Sequence, residues 1–181
     1  MKEKELVNKA KEFATKAHTG HFRINPEQTP YTDHLEEVAL LVEMSGGDHF
    51  EIAAAWLHDV VEDTPATMED VQREFGEEVA EMVYGLTDLP EFLELSLTER
   101  KHKQAERVKT ESNGVKRVKI ADQASNVKFI GRGDLTKFIP SDYLDYLEGA
   151  RKIAEACAGI SEHLDKTFEA YYRMSKKNLG L

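Results

Sequence analysis

The sequence predicts an all-α fold of roughly nine helices. Apolar residues recur at spacings of three and four along most of the 181-residue chain, as on the first stripe of Leu6, Ala10, Phe13, Ala14 and Ala17. No segment shows the sustained alternation of apolar and polar residues that is typical of a half-buried strand. Glycine, proline and capping residues separate the periodic segments, as expected between helices.

Length and composition are those of a globular protein, and we expect one domain over residues 1–181. No apolar run approaches the roughly 20 residues of a membrane span, and the polar, basic start lacks the apolar region of a signal peptide. Cys157 is the only cysteine, so an internal disulfide is excluded and a cytoplasmic protein with no membrane partner is expected.

The formal net charge of −10 argues against binding duplex nucleic acid, which requires a basic face. A small anionic substrate is compatible with this charge, because it needs only a metal or a few local cations. The oligomeric state is left open.

The first two helices are predicted over residues 2–18 and about 34–45. Between them lies a loop, residues 19–32, that is long and charged enough to have a function. Its four breakers are Gly20, Asn25, Pro26 and Pro30. Thr32 or Asp33 is expected to cap the second helix, and Gly46-Gly47 to end it.

The third helix is predicted from about Asp48 to Asp63, with Thr64-Pro65 at its end. Ile52 to Leu57 is apolar on every side, which indicates a buried helix. Four ionisable groups follow directly: His58, Asp59, Glu62 and Asp63. A buried carboxylate needs a cation, a metal or a hydrogen-bond network.

Six more helices complete the prediction. Asn113-Gly114 is expected to be a break between two of them, and Gly131-Arg-Gly133 to end another. One of the six begins at Thr67. The other five run over about 77–87, 98–112, 115–130, 141–158 and 161–177.

The ionisable cluster suggests a metal site. His58 and Glu62 are four residues apart, as are Asp59 and Asp63, so one helix would place each pair on a common strip. Imidazole and carboxylate together suit a six-coordinate Mn or Fe, or Zn. Two further candidates lie elsewhere: His34 at a helix start, and Asp122 among apolar neighbours. Water bound to such a metal becomes a nucleophile near neutral pH.

The pattern of His34, His58-Asp59 and Asp122 resembles the HD superfamily of metal-dependent phosphohydrolases. The surrounding motifs are similar to the alarmone hydrolase domain of the RelA/SpoT family, in its short stand-alone form, over most of residues 1–150. These motifs are AHTGHFR (17–23), TPYTDH (29–34), AAWLHDVVEDT (54–64), FGEEVAEMVYGLTD (75–88) and VKIADQASN (118–126).

The resemblance implies an HD-domain helical bundle that hydrolyses guanosine 3′,5′-bis(diphosphate), or its pentaphosphate, and releases pyrophosphate with Mn²⁺ as cofactor. It assigns Glu62 and Asp63 to orienting water and handling protons. Three residues are implied to contact the nucleotide: Arg23, Asn126 and Tyr146. The metal ligands implied are His34, His58, Asp59 and Asp122.

Two departures from the family pattern bear on the substrate. Ile24 stands where the family has lysine, which removes a positive charge, and Ala124 replaces a larger apolar residue. The alternatives kept open are an HD hydrolase of another phosphorylated nucleotide or phosphomonoester, and a non-catalytic nucleotide sensor. The basic helix from Thr98 is expected to be solvated, with Arg100 and Lys101 as candidate phosphate contacts.

Overall fold

The computed structural model describes residues 2–25, 27–131 and 140–181, the last range starting with two residues described by their backbone alone. These ranges contain ten α-helices and a short 3-10 helix, with no strand beyond an isolated bridge between Phe22 and Pro30. The predicted all-α class is confirmed. Pro26, Arg132 and Gly133, used above as breakers, lie outside the described residues.

The helices follow one another with short connections. They are α1 (Glu3–Ala17), α2 (Tyr31–Met44), α3 (His49–Leu57), α4 (Val60–Asp63), α5 (Met68–Phe75), α6 (Glu77–Leu86), the 3-10 helix Pro90–Phe92, α7 (Leu97–Val108), α8 (Asn113–Ile130), α9 (Pro140–Ala156) and α10 (Glu162–Leu179).

Side-chain caps begin several of these helices. The Asp48 carboxylate accepts hydrogen bonds from the backbone N–H groups of Phe50 and Glu51, each at 2.9 Å. Thr67, Ser96, Ser112 and Ser161 cap α5, α7, α8 and α10 in the same way. Such caps satisfy backbone donors that have no partner within the helix.

The predicted single helix from Asp48 to Asp63 is wrong. It is divided into α3 and α4 at His58 and Asp59, where Asp59 has φ −101° and ψ −1°, at the margin of the helical region. The Nδ1 atom of His58 lies 2.7 Å from the Ala55 carbonyl at the end of α3. The four ionisable residues therefore do not share one continuous helix face.

Two smaller boundary predictions are also wrong. Helix α2 begins at Tyr31 with Pro30 as its cap residue, so Thr32 and Asp33 lie inside its first turn. Helix α8 begins at Asn113, because the Ser112 hydroxyl accepts from the Val115 N–H. Asn113-Gly114 is thus the start of a helix, and the break precedes it. The end of α2 is as predicted, with Gly46 at φ +81°.

The apolar helix α3 lies at the centre of the core, as its composition predicts. It packs against α1, α2, α6 and α8, and every residue from Ala53 to Leu57 is buried. Helix α8 packs in turn on α2, α9 and α10. This arrangement brings the start of α2, the end of α3 and the middle of α8 together.

Helices α8 and α10 approach very closely at one point. A Cβ atom added to Gly131 would lie 2.2 Å from Ser175 Oγ and 2.7 Å from Ser175 Cα. The buried Ser175 hydroxyl donates to the Val127 carbonyl at 2.7 Å. In the part of the chain that is described, no helix has the length and apolar character needed to cross a membrane.

Candidate metal centre

The four predicted ligand residues come together where α2, α3 and α8 meet. His34 Nε2 lies 3.2 Å from His58 Nε2, 3.5 Å from Asp59 Oδ2 and 3.5 Å from Asp122 Oδ1. His58 Nε2 lies 3.0 Å from Asp59 Oδ2 and 3.7 Å from Asp122 Oδ1. His34, His58 and Asp122 are buried, and Asp59 is half-buried.

The His58 ring is oriented by the main chain. Because the Ala55 carbonyl only accepts, His58 Nδ1 carries the hydrogen and Nε2 faces the two carboxylates. Burial acts to lower the pKa of His58, but Asp59 and Asp122 outweigh it and hold this pKa well above its usual value. The site therefore has a strong preference for positive charge.

The carboxylates show the complementary effect. Burial acts to raise the pKa of Asp59, but His58 and His34 hold it well below its usual value. Burial acts to raise the pKa of Asp122, but its contacts with His34 and His58 and the Lys119 charge hold this pKa well below its usual value. Both groups are therefore ionised at neutral pH, which is the state that binds a metal.

This donor set fits a divalent metal. Bonds of about 2.1 Å hold neighbouring ligand atoms of an octahedral ion about 3.0 Å apart. The shortest imidazole–imidazole and imidazole–carboxylate separations here, 3.2 and 3.0 Å, are close to that value. His34, His58 and Asp59 each offer one ligand atom, and these three atoms lie within 4.8 Å of one another. Mixed nitrogen and oxygen donors suit Mn, Fe or Zn.

Glu62 lies on α4 beside this cluster. Its Oε1 atom accepts a 2.6 Å hydrogen bond from the Asp88 N–H. Glu62 is an exposed residue, but nearby protein atoms partly desolvate its carboxyl group. This desolvation, followed by the charge of Asp59, raises the pKa of Glu62 to about 7. A carboxyl group with this pKa exchanges protons near neutral pH.

Asp63 lies on the Tyr31 side of the cluster. Asp63 is exposed, but desolvation by nearby protein atoms and the Asp59 charge raise its pKa. The Tyr31 hydroxyl donates to Asp59 Oδ2 at 2.7 Å, and the Tyr31 ring stacks on buried His18 with centroids 5.1 Å apart. Tyr31 and His18 thus hold Asp59 in place.

Arg23 and Asn126, two predicted nucleotide contacts, touch each other beside the cluster. Arg23 Nη2 donates to Asn126 Oδ1 at 2.9 Å, and Asn126 Nδ2 donates to Asp122 Oδ1 at 2.5 Å. The Arg23 guanidinium also lies over the Phe129 ring, 4.0 Å from its centroid. The Arg23 guanidinium is therefore linked to Asp122 through the side chain of Asn126.

Tyr146, the third predicted contact, belongs to a different side of the site. Lys101 Nζ lies 4.3 Å from the centroid of the Tyr146 ring and donates to Gln123 Oε1 at 2.8 Å. Gln123 in turn donates to Asp122 Oδ2 at 2.7 Å. Burial, followed by the Asp122 charge, raises the pKa of Tyr146, so its hydroxyl stays protonated.

The basic helix α7 is not uniformly solvated as predicted. Lys101 is buried, and desolvation lowers its pKa to about 8 despite the nearby Asp122 charge. Arg100 is half-buried and its Nε lies 3.8 Å from Asp88 Oδ2. Of the two departures noted in the sequence, Ile24 is 67% exposed, whereas Ala124 is fully buried in the core.

Lys119 is a site residue that the sequence reasoning missed. Its side chain is only 12% exposed, and its Nζ lies 3.7 Å from Asp122 Oδ2. Burial acts to lower the pKa of Lys119, but Asp122 and Glu62 raise it, so the ammonium group stays charged. The signal available was its position three residues before Asp122, on the same face of α8.

Comparisons with known proteins agree with this geometry. The family model described as "HD domain" matches residues 10–132. The chain is similar to two proteins described as guanosine-3′,5′-bis(diphosphate) 3′-pyrophosphohydrolase MESH1. It is 32% identical over 165 residues to the one from Mus musculus, and 32% identical over 164 residues to the one from Drosophila melanogaster. In both cases the alignment covers 90% of each chain.

A solved structure also has the same fold. It is described as a metazoan ortholog of SpoT that hydrolyzes ppGpp, and it matches with a TM-score of 0.85 and 29% identity. The match covers 93% of this chain and 94% of that one.

Proposed function

Since the chain belongs to the HD-domain family, we propose that it is a metal-dependent hydrolase that removes pyrophosphate from guanosine 3′,5′-bis(diphosphate). The predicted resemblance to RelA/SpoT-type alarmone hydrolases is confirmed by relatives that carry this activity in their descriptions. The observation that carries the proposal is the buried junction of His34, His58, Asp59 and Asp122. The single domain over residues 1–181 remains a prediction.

We propose Mn²⁺ as the metal, held by His34, His58, Asp59 and Asp122. Two nitrogen and two oxygen donors without a thiolate favour a six-coordinate ion over structural zinc. A bound divalent cation supplies a Lewis acid that polarises a phosphoryl oxygen and increases the acidity of water.

Glu62 is proposed as the group that takes a proton from the attacking water. Water adds to the phosphorus attached to the ribose 3′ oxygen, the bond from that phosphorus to the 3′ oxygen breaks, and the 3′ oxygen ends with a proton. The products are pyrophosphate and a nucleoside 5′-diphosphate. The Asp88 N–H fixes the direction of the Glu62 carboxylate, and Asp63 lies at the same end of α4 to orient the water.

Three cations around the cluster are suited to phosphate groups. Lys119 and Lys101 lie on the α7–α8 side, and Arg23 lies on the opposite side, next to Asn126. Phosphate oxygens accept charge-assisted hydrogen bonds from such groups. Together with a bound divalent cation, these three groups would offset the carboxylates of the cluster where the substrate is proposed to bind.

The activity is tested by incubating the Mn²⁺-loaded protein with guanosine 3′,5′-bis(diphosphate) and measuring pyrophosphate. Asp59→Asn is the matched control, since it keeps the shape of the side chain and removes its charge. Release by the wild type alone is the expected result. If the wild type binds metal but releases nothing, this substrate is wrong. If the nucleotide binds tightly without turnover, the protein is a sensor.

A second substrate class is favoured by Ile24. This exposed apolar side chain follows Arg23 where the family has lysine, so the loop has one cation fewer for a phosphate or a base. A panel of other phosphorylated nucleotides, assayed at equal concentration, tests this alternative. Higher kcat/KM for one of them would reassign the substrate within the same reaction class.

A further inference from the structure

We propose that Ser125 and Glu37 are positioning residues that set the tautomer of His34 and direct its Nε2 atom at the metal centre. Ser125 lies within the motif VKIADQASN, but neither Ser125 nor Glu37 was given a role from the sequence. The inference rests on the metal site of the proposed function and adds a hydrogen-bonded relay behind it.

The direction of the hydrogen bonds follows from the chemistry of the groups. Ser125 Oγ lies 2.9 Å from His34 Nδ1 and 2.9 Å from Glu37 Oε2. A carboxylate only accepts hydrogen bonds, so the single hydroxyl hydrogen of Ser125 points to Glu37. His34 Nδ1 must then be the donor to Ser125 Oγ. The free lone pair of His34 is therefore on Nε2, the atom that faces His58, Asp59 and Asp122.

The surroundings hold this arrangement in place. Ser125 is 2% exposed and His34 is 3% exposed, so water does not replace either partner. Lys128 Nζ pairs with the other oxygen of the same carboxylate, Glu37 Oε1. With a partner on each oxygen, the Glu37 carboxylate has a fixed orientation toward Ser125.

The relay also connects the two helices that supply ligands from outside α3. Glu37 lies one turn after His34 on α2, and Ser125 lies one turn after Asp122 on α8. The Nδ1 atom of His58 bonds to the main-chain carbonyl of Ala55 rather than to a side chain. The orientation of His34 is therefore the one that side-chain replacements can alter.

Loss of such an orienting partner typically weakens metal binding by about 10- to 100-fold. We expect that range for Ser125→Ala. Glu37→Met removes the acceptor while Ser125 remains, so the hydroxyl can turn and donate to His34 Nδ1. That reversal moves the imidazole hydrogen to Nε2, and we expect a loss of similar size. Glu37→Gln keeps an acceptor oxygen and should bind metal within about threefold of wild type.

The test is a titration of Mn²⁺ into the metal-free proteins, followed by the paramagnetic signal of free Mn²⁺ and without any nucleotide. Glu36→Met is the matched control: Glu36 is exposed on the same helix and pairs with Lys11 at 2.8 Å. Thermal unfolding in chelator identifies variants that fold poorly. ¹⁵N spectra of the imidazoles report the His34 tautomer in the metal-free wild type and Ser125→Ala proteins.

The expected result is weak Mn²⁺ binding by Ser125→Ala and Glu37→Met, with Glu37→Gln and Glu36→Met close to wild type. Wild-type affinity in Ser125→Ala, or in a folded Glu37→Met, would overturn the relay and leave the metal centre standing. A wild-type protein that binds no Mn²⁺ would overturn the metal centre itself and the relay with it. A hydrogen on His34 Nε2 in the wild-type spectra would also refute the assigned direction.

Discussion

Replacing Glu62 with glutamine removes a proton acceptor and preserves the shape of the side chain. The amide oxygen can still accept from the Asp88 N–H, which lies 2.6 Å from Glu62 Oε1. The metal ligands are untouched, so metal binding should persist. We expect turnover to fall by about 10²- to 10⁴-fold, the usual effect of losing a general base.

The pH dependence follows from the environment of the carboxyl group. Desolvation and the Asp59 charge raise the pKa of Glu62 to about 7. With a pKa of about 7, the Glu62 carboxyl group is ionised in about 1% of the molecules at pH 5 and in about 90% at pH 8. Because the base must be ionised, kcat/KM should rise with pH over this interval. A bound cation offsets the Asp59 charge and moves the midpoint below 7.

The assay is a profile of kcat/KM from pH 5 to 9, with metal occupancy measured at every pH so that loss of metal is separated from protonation of the base. Asp63→Asn, at the neighbouring carboxylate on α4, is the matched comparison. Full turnover in Glu62→Gln, or an acid limb that survives this replacement at constant metal occupancy, would falsify the role of Glu62.

Three further predictions concern metal, charge and substrate. Mn²⁺ at 100 times its Kd should raise the free energy of unfolding by about 2.7 kcal/mol in denaturant titrations, and Asp122→Asn should abolish the increase. Burial lowers the pKa of Lys101 to about 8, below the 10.5 of the free side chain, so the unfolded chain binds more protons between these values. The free energy of unfolding should therefore rise by about 3 kcal/mol from pH 8 to 10.5. This rise should be lost in Lys101→Met and kept in Lys103→Met, which changes an exposed lysine on the same helix. Arg23→Gln should lower kcat/KM by about 10- to 100-fold, chiefly through KM, if Arg23 contacts phosphate; an unchanged KM would exclude that contact.

The class of fold and the position of the core were predictable from the pattern of apolar residues. Ile52 to Leu57 is apolar on all sides, and the helix that contains it is the central one. The break at Asp59 was not predictable, because Val60 and Val61 continue the apolar pattern into α4. The break falls where Asp59 meets two imidazoles, His34 on α2 and His58 at the end of α3.

The ligand residues were predictable from motifs, whereas their supports were not. Ser125 and Lys119 look like ordinary polar positions on a helix. Only the folded structure reveals that Ser125 faces His34 and that Lys119 lies near the charges of Asp122 and Glu62. Lys101 was expected on a solvated face because its neighbours in sequence are charged. The packing of α7 on α9 buries it instead.

The close contact at Gly131 and Ser175 affects where the protein can be shortened. The match to the HD-domain family model ends at residue 132, yet α10, beyond that boundary, satisfies the Val127 carbonyl through the Ser175 hydroxyl. A fragment cut at residue 132 would expose this carbonyl and the apolar face of α8, the helix that carries Asp122 and Ser125. The boundary of the family model is therefore shorter than the unit that packs around α8, and a minimal expressed fragment should retain α10.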